Sequence, residues 1–337
     1  MQILLSHGAG GEMMNRLISD SILKNLTLKN LGEAGLADLD DGASISLGDR
    51  EIVISTDSYI VSPIFFPGGD IGKLAACGTI NDISMMGARP IALTLAIIIE
   101  EGFDSLELEQ IIRSLDEVCC STGVSVITGD TKVMQKGKLD RIVMNTTGIG
   151  VAEKGKVIRD RNLSPGDVII LSGTVGDHGV SLLSFREGFG FETTLCSDVA
   201  PLWSMVEKAL SVGGIKAMRD PTRGGLSATL NDWARKSNTC ITVSEERIPV
   251  RPEVAAASRM LGIDPYTVAN EGKAVIGVRK DKAEEVLEAI RSTETGKNAC
   301  IIGYVTDSHP GRVILETIVG GKRIMEPPVG DPVPRVC

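Results

Sequence analysis

The chain has 337 residues, is 42% hydrophobic and 23% charged, carries a net charge of −9 and has only 3% aromatic residues. Its length, at roughly 150 residues per domain, predicts two domains with full hydrophobic cores. The acidic surplus and the scarcity of aromatic stacking platforms argue against a nucleic-acid partner. No apolar run approaches the ~18 residues that cross a bilayer, and no signal-peptide pattern opens the chain, so a cytoplasmic protein is expected.

The first half begins with a glycine-rich stretch, "SHGAGGEMMNRLI". Strand-like runs follow: "ASISLGD", "REIVISTDSYIV", "IALTLAIII", "GVSVITGDTKV" and "RIVMNTTGIG", β-branched and bounded by Gly or Asp. Two helices lie between them. "DIGKLAACGTINDISMMGARP" stops at Gly87 and Pro90, and "DSLELEQIIRSLDEVCCSTG" starts on Asp104 with Glu107 completing a capping box. The second half opens near "NLSPGDVIILSGTVGDHGVSLL" with a turn at Pro165–Asp167, a buried strand and a glycine-rich turn. Two amphipathic helices, "PLWSMVEKALSV" and "LSATLNDWARKS", precede the strands "KAVIGV", "CIIGYV" and "RVILET", with helix "KAEEVLEAIRS" between the first two strands. Strands and helices mix without strict βαβ alternation, which predicts two α+β domains, 1–152 and 153–325. Residues 326–337 form a Pro-rich tail ending in Cys337, an extended arm of ~3.1 Å per residue that reaches roughly 30 Å.

The seven cysteines include no CxxC pair, which suits reduced thiols. Cys77, Cys119, Cys120, Cys196, Cys240 and Cys300 are expected as small buried hydrophobes. Three scattered histidines give no zinc signature, and His178 and His309 read as structural or exposed.

Acids gather at strand ends and loops: Asp38, Asp40 and Asp41 in "DLDDGASI", Asp57 in "STDSYI", Asn81 and Asp82 in "INDISMMGARP", and Asp130 with Lys132 in "TGDTKV". The second half adds Asp220 and Arg223 in "RDPTRGGL" and Glu271 in "ANEGK". Singly, each acid is an ordinary turn former. Together they repel one another unless a cation sits between them, and a hard cation such as Mg²⁺ usually arrives with phosphates. No Walker A string is present.

In order, "DDGA", "STD", "NDISMMGARP", "GDTK" and "DPTRGG" resemble the AIR synthetase (PurM-like) family of ATP-dependent enzymes over nearly the whole chain. Within it, "SHGAGG", "TGDTKV", "RDPTRGG", "ANEGK" and the terminal "PRVC" look like the hydrogenase expression/formation proteins of the HypE type. The resemblance implies a two-domain fold whose first domains pair into a joint β-barrel, and so a homodimer. It implies nickel–iron hydrogenase maturation, in which a HypF-type carbamoyltransferase loads the terminal Cys. ATP-dependent dehydration then yields a thiocyanate, and the cyano group passes to iron on a HypC–HypD complex. Cys337 is then the carrier. The acids Asp40, Asp41, Asp57, Asp82, Asp130 and Asp220, with Asn81 and Arg223, would hold ATP, and Asp40, Asp41, Asp82 and Asp220 would also hold Mg²⁺. Gly8, Gly10 and Gly11 would cover the phosphates, since glycines let backbone N–H groups approach closely. Lys132 would neutralise the carbonyl oxygen or the transferred phosphate, Glu271 is the candidate base, and His7 a second proton-transfer candidate. Other readings are a purine- or thiamine-pathway enzyme of the same fold, which needs no terminal Cys, and a non-enzymatic thiol scaffold.

Overall fold

The structure, a computed structural model, describes residues 2–8, 10–187, 194–328, 333 and 336. After a 3-10 turn (Leu5–Gly8) comes helix α1 (Gly11–Leu17). The first half continues with β1 (Ala43–Leu47), β2 (Arg50–Tyr59), a short ribbon of β3 (Phe65–Phe66) and β4 (Gly69–Asp70), α2 (Ile71–Met85), β5 (Arg89–Glu100), α3 (Ser105–Thr122), β6 (Ser125–Met134) and β7 (Ile142–Glu153). Five strands form one sheet in the order β1-β2-β7-β5-β6. Only β5 and β6 run parallel, because α3 carries the chain back between them. Strand β7 alternates buried and half-buried residues, as a sheet covered on one face requires. Helix α2 lies on the covered face, packed on β2 and β7. On the other face Ile52, Ile54, Val143, Ile149 and Val151 stay half-buried, and every residue of edge strand β6 is exposed.

The second half runs β8 (Val168–Leu171), α4 (Asp177–Glu187), α5 (Trp203–Val212), β9 (Ile215–Arg219), α6 (Gly225–Ser237), β10 (Cys240–Ser244), α7 (Pro252–Leu261), β11 (Val275–Val278), α8 (Ala283–Arg291), β12 (Cys300–Thr306), β13 (Arg312–Glu316) and β14 (Lys322–Ile324). These strands form a seven-stranded sheet, β14-β13-β10-β12-β8-β11-β9. Helices cover both of its faces. Ile169 and Leu171 of β8 pack with Leu226, Leu230 and Trp233 of α6, while Ile170 packs with Met205 of α5 and Leu287 of α8. A third cluster joins the halves: Tyr59, Ile80 and Ile111 meet Val180, Val254 and Val268, together with Val333 and Val336 of the tail.

Several local expectations are corrected. Cys119 is buried but Cys120 is exposed, since consecutive helical residues point about 100° apart. Cys196 is also exposed and Cys300 half-buried. Asp104 caps α3 by accepting from Leu106 N–H, but Glu107 pairs with Arg141 instead of closing a capping box. Helices α4 and α7 and strands β9 and β10 carried no clear periodicity. In α4 His178, Val180, Ser181 and Leu182 are all buried, which erases the polar face. Pro252 at the first position of α7 is a helix-start signal that would have marked it.

An ion-pair network also ties the halves together. Arg219 contacts Asp41 (3.0 Å), Asp160 (3.2 Å) and Asp232 (3.3 Å), and Lys236 contacts Asp160 (2.7 Å) and Asp40 (3.1 Å). Asp160 also accepts from Trp233 Nε1 at 2.6 Å. Removing a buried partner strands the charges it compensated. Asp160→Ala should therefore lower the unfolding free energy by about 3 kcal/mol in urea titrations. A loss below about 1 kcal/mol, the size of an exposed pair, would show that the network adds little to stability.

Candidate active site

Four carboxylates from both halves converge. Asp57 projects from β2 on the sheet face that α2 covers, and Asp82 projects from α2 toward it and accepts from Ser55 Oγ at 2.6 Å. Asp220 follows the end of β9, and Glu271 lies in the loop before β11. With Tyr59, Gly78 and Arg223 they line a cavity of about 20 Å³, room for one water or one small ion. Asp220 Oδ2 and Glu271 Oε1 are buried and have no hydrogen-bond partner. Such groups are costly unless protonated or reserved for a ligand.

Burial is the largest influence on each acid. It raises Asp57 despite Arg223, and raises Asp82 further with help from the neighbouring Asp57 and Asp220. It lifts Asp220 to about 7 against the pull of Arg219. Glu271 is pushed well above the usual carboxylate range by burial, Asp220 and Asp198, and Arg223 offsets this in part. A single added positive charge would pull all four downward together.

Backbone contacts position Glu271. Its N–H donates to Asp198 Oδ1 at 3.1 Å, and its carbonyl accepts from Asn81 Nδ2 at 3.4 Å. Asn81 also donates to Ala200 O (3.1 Å) and accepts from Leu202 N–H (2.8 Å). Both polar atoms of this buried side chain are thus engaged, and in the ligand-free chain Asn81 acts as a strut. Asp40 is held by ion pairs instead of standing free: Arg159 Nε (2.6 Å) and Lys236 (3.1 Å) contact its two oxygens. Asp41 pairs with Arg219 but lies close enough to raise Asp82 electrostatically, so it borders the cluster.

Other expected site residues lie elsewhere in the single chain. Asp130 and Lys132 pair with each other at 2.7 Å, both well exposed. Their strand partners Ala96 and Ile98 sit opposite Asn145 and Val143, so they share the uncovered face of the sheet, opposite to Asp57. His7 is buried in the first turn, where its Nδ1 meets Leu4 N–H at 3.0 Å. Gly8 faces open space, whereas Gly10 and Gly11 have positive φ and pack closely. A Cβ on Gly10 would come within 3.0 Å of Arg223 O, and one on Gly11 within 2.7 Å of Pro328 O. The glycine segment thus lies against the Arg223 loop and the start of the tail. Cys337 lies outside the described residues.

A folded-state value near 7 for Asp220, against ~3.9 unfolded, means the native chain binds the extra proton between those values. Its contribution to stability is therefore undiminished below pH 4, falls as pH rises to 7 and stays low above. In chelator, urea stability should decline over that range, and Asp220→Asn should gain on the order of 2 kcal/mol relative to wild type at pH 8. A wild-type profile that rises from pH 4 to 7 would contradict this charge balance.

Two family models match the chain, the N-terminal domain of AIR synthase related proteins over residues 39–152 and the C-terminal domain over 164–316. A Methanocaldococcus jannaschii protein named for hydrogenase expression/formation is 52% identical over 100% of both chains. A carbamoyl dehydratase HypE of Rhizobium leguminosarum is 45% identical over 100% of this chain and 95% of its own. A solved HypE–HypF complex superimposes with a TM-score of 0.86 at 44% identity, covering 94% of this chain and 100% of that one. HypE solved in complex with ATP gives 0.83 at 42% identity, covering 100% of each. With both domain models matched and identity sustained along the whole chain, this protein belongs to the AIR synthase related family, in its HypE-type hydrogenase expression/formation branch.

Proposed function

We propose that the chain is an ATP-dependent carbamoyl dehydratase of nickel–iron hydrogenase maturation. It converts an S-carbamoyl group on Cys337 into a thiocyanate, the source of the cyanide ligand of the active-site iron. The observation that carries this reading is the pair of unpartnered buried oxygens, Asp220 Oδ2 and Glu271 Oε1, at a cavity between the halves. Relatives named for this reaction, and others solved with ATP and with HypF, support it.

The chemistry explains the need for such a site. An S-carbamoyl group does not lose water directly, because oxide is a poor leaving group. Transfer of the γ-phosphoryl group of ATP to the carbonyl oxygen, with loss of one N–H proton, makes an iminyl phosphate and ADP. Loss of the second N–H proton breaks the C–O bond, releases phosphate and forms C≡N. Glu271 is the residue we assign to accept these protons. In the ligand-free chain burial disfavours its charged form, and positive charge entering beside it would favour the ionised form that can act as a base.

The donor set fits magnesium in one manner only. Among the described residues no three acidic, His or Cys side chains converge tightly enough to hold a metal ion alone. Mg²⁺ ordinarily takes one or two carboxylates and completes its shell with phosphate oxygens and water. Asp82 and Asp220 would hold it, with Asp57 and Asp41 at the edge. Magnesium bound there would supply the positive charge that these carboxylates lack. Arg223 and the Gly8–Gly11 segment would close over the nucleotide, which requires Gly11 to part from Pro328.

Asp130 and Lys132 require a second copy. We place the homodimer contact on the uncovered face of the first sheet, where Ile52, Ile54, Val143, Ile149 and Val151 stay half-buried and Ile127 is 58% exposed. Pairing would carry Lys132 from solvent to the junction of the two copies, where we assign its contact with the transferred phosphate. A HypF-type carbamoyltransferase would load Cys337, and a HypC–HypD complex would receive the cyano group.

Incubation with the carbamoyltransferase, carbamoyl phosphate and Mg-ATP should add about 43 Da and then settle to a net gain of about 25 Da, absent from Cys337→Ala. Glu271→Gln should stop at the first mass, with dehydration slowed at least about 100-fold. A carbamoyltransferase proven active elsewhere that leaves Cys337 unmodified would sink the proposal. Light scattering should report a dimer that Ile149→Lys converts to monomer, and a monomeric wild type would remove the role given to Lys132.

A further inference from the structure

The described residues of the tail pack against the second half and into the cluster between the halves. Met325 O accepts from Asn231 Nδ2 at 2.8 Å and Glu326 O from Ser227 Oγ at 2.6 Å, both on α6. Farther on, Val333 and Val336 are 2% and 3% exposed, packed in the cluster that joins the halves. Val336 O, the carbonyl of the peptide bond that leads to Cys337, lies 2.7 Å from Nε2 of the fully buried His178.

The direction of this contact follows from chemistry. A carbonyl oxygen only accepts, so Nε2 carries the proton and donates. Burial holds the ring neutral, against smaller opposing influences from Asp198 and Val336. A neutral imidazole has one N–H, so Nδ1 must accept, and Ser197 Oγ donates to it at 2.7 Å. Ser197 Oγ in turn accepts from Val199 N–H at 3.1 Å. The polar chain runs one way, from Val199 through Ser197 and His178 to the tail. Phe66 packs edge-on against the ring at 5.6 Å and fixes its plane. The next residue, Asp198, receives the Glu271 N–H, so a single segment bears on both the tail anchor and the candidate base.

We propose that His178, oriented by Ser197, is a positioning residue that holds the Val336 carbonyl between the halves, so that the terminal thiol one residue on can reach the acid cluster. This rests on the dehydratase reading for its purpose, but docking itself can be measured without ATP or partner. Docking and loading then oppose each other: the tail must leave His178 to meet the carbamoyltransferase and return to it for dehydration.

The test is the rate of maleimide labelling of Cys337, read on the C-terminal peptide released after Lys322, because Cys120 and Cys196 are exposed and label too. His178→Phe keeps the ring and its packing but cannot donate. Labelling should accelerate roughly two- to tenfold, the population shift expected from one lost hydrogen bond. His178→Gln, whose amide can still donate to Val336 O, should stay closer to wild type. Val333→Ser/Val336→Ser lies at the chain end, spares the fold and should also accelerate labelling, which keeps the test decisive if His178→Phe does not fold. On carbamoylated protein, single-turnover dehydration should slow in His178→Phe while carbamoylation does not. Unchanged labelling in folded His178→Phe, or in the tail variant, overturns the docking role and leaves the dehydratase reading intact. Failure of wild type to dehydrate overturns that reading, and the labelling result stands by itself.

Discussion

Buried negative charge is the constraint around which the rest of the molecule is arranged. Two unit charges 4 Å apart repel by about 4 kcal/mol at the effective dielectric of a protein, so a cluster of four ionised carboxylates cannot persist uncompensated. The chain treats its acids in two ways. Asp40, Asp160 and Asp232 are met by Arg159, Arg219 and Lys236, and these neutralised acids weld the halves together. Asp82, Asp220 and Glu271 receive too little positive charge, and burial raises their affinity for protons. Compensated acids become structure, and uncompensated ones become a site that waits for a cation.

Such a site must be held without using the groups that act. Helix α2 does this through its depth in the fold: it is buried on nearly every side, and Met85 near its end reaches the core of the second half. Asn81 ties α2 to the 200–202 segment and to the Glu271 carbonyl, while Asp198 takes the Glu271 N–H. Glu271 is therefore fixed by its own peptide groups. Its carboxylate is left free of structural duty, and its protonation follows whatever charge enters the cavity.

Much of this was legible in the sequence, and the gaps have physical causes. Asp57, Asp82, Asp220 and Glu271 were all identifiable as acids that repel one another without a cation, although Asp57 lies inside β2 and Asp82 inside α2, not at strand ends or in loops. Asn81, one residue from Asp82, could not be told from a ligand, because a helix turns neighbouring side chains about 100° apart and only the fold says which faces the cavity. Asp40 looks like Asp41 in the sequence, and only the fold brings Arg159 and Lys236, more than 100 residues away, onto it. Lys132 was placed by motif, but its side of the sheet depends on register, and a strand sends alternate residues to opposite faces. His178 read as structural or exposed. Nothing local announced that its partner would be a carbonyl 158 residues later.

The tail shows why a carrier thiol is placed at the end of a Pro-rich arm. Docking removes two valine side chains from water, worth about 1.5–3 kcal/mol each, and adds one hydrogen bond of about 1 kcal/mol. Against this stands the ordering of the intervening backbone, about 1–2 kcal/mol for each residue fixed. Prolines reduce that cost by limiting the free arm beforehand. The ordering cost opposes the docking gain, so the arm is held less tightly than the burial and the hydrogen bond alone would hold it. A carrier needs that balance. An arm held several kcal/mol more tightly would starve the loading partner of thiol, and one with no anchor would bring its cargo to Glu271 only by chance. His178 contributes a directional contact to this balance, so it bears on where the arm stops as well as on whether it stays.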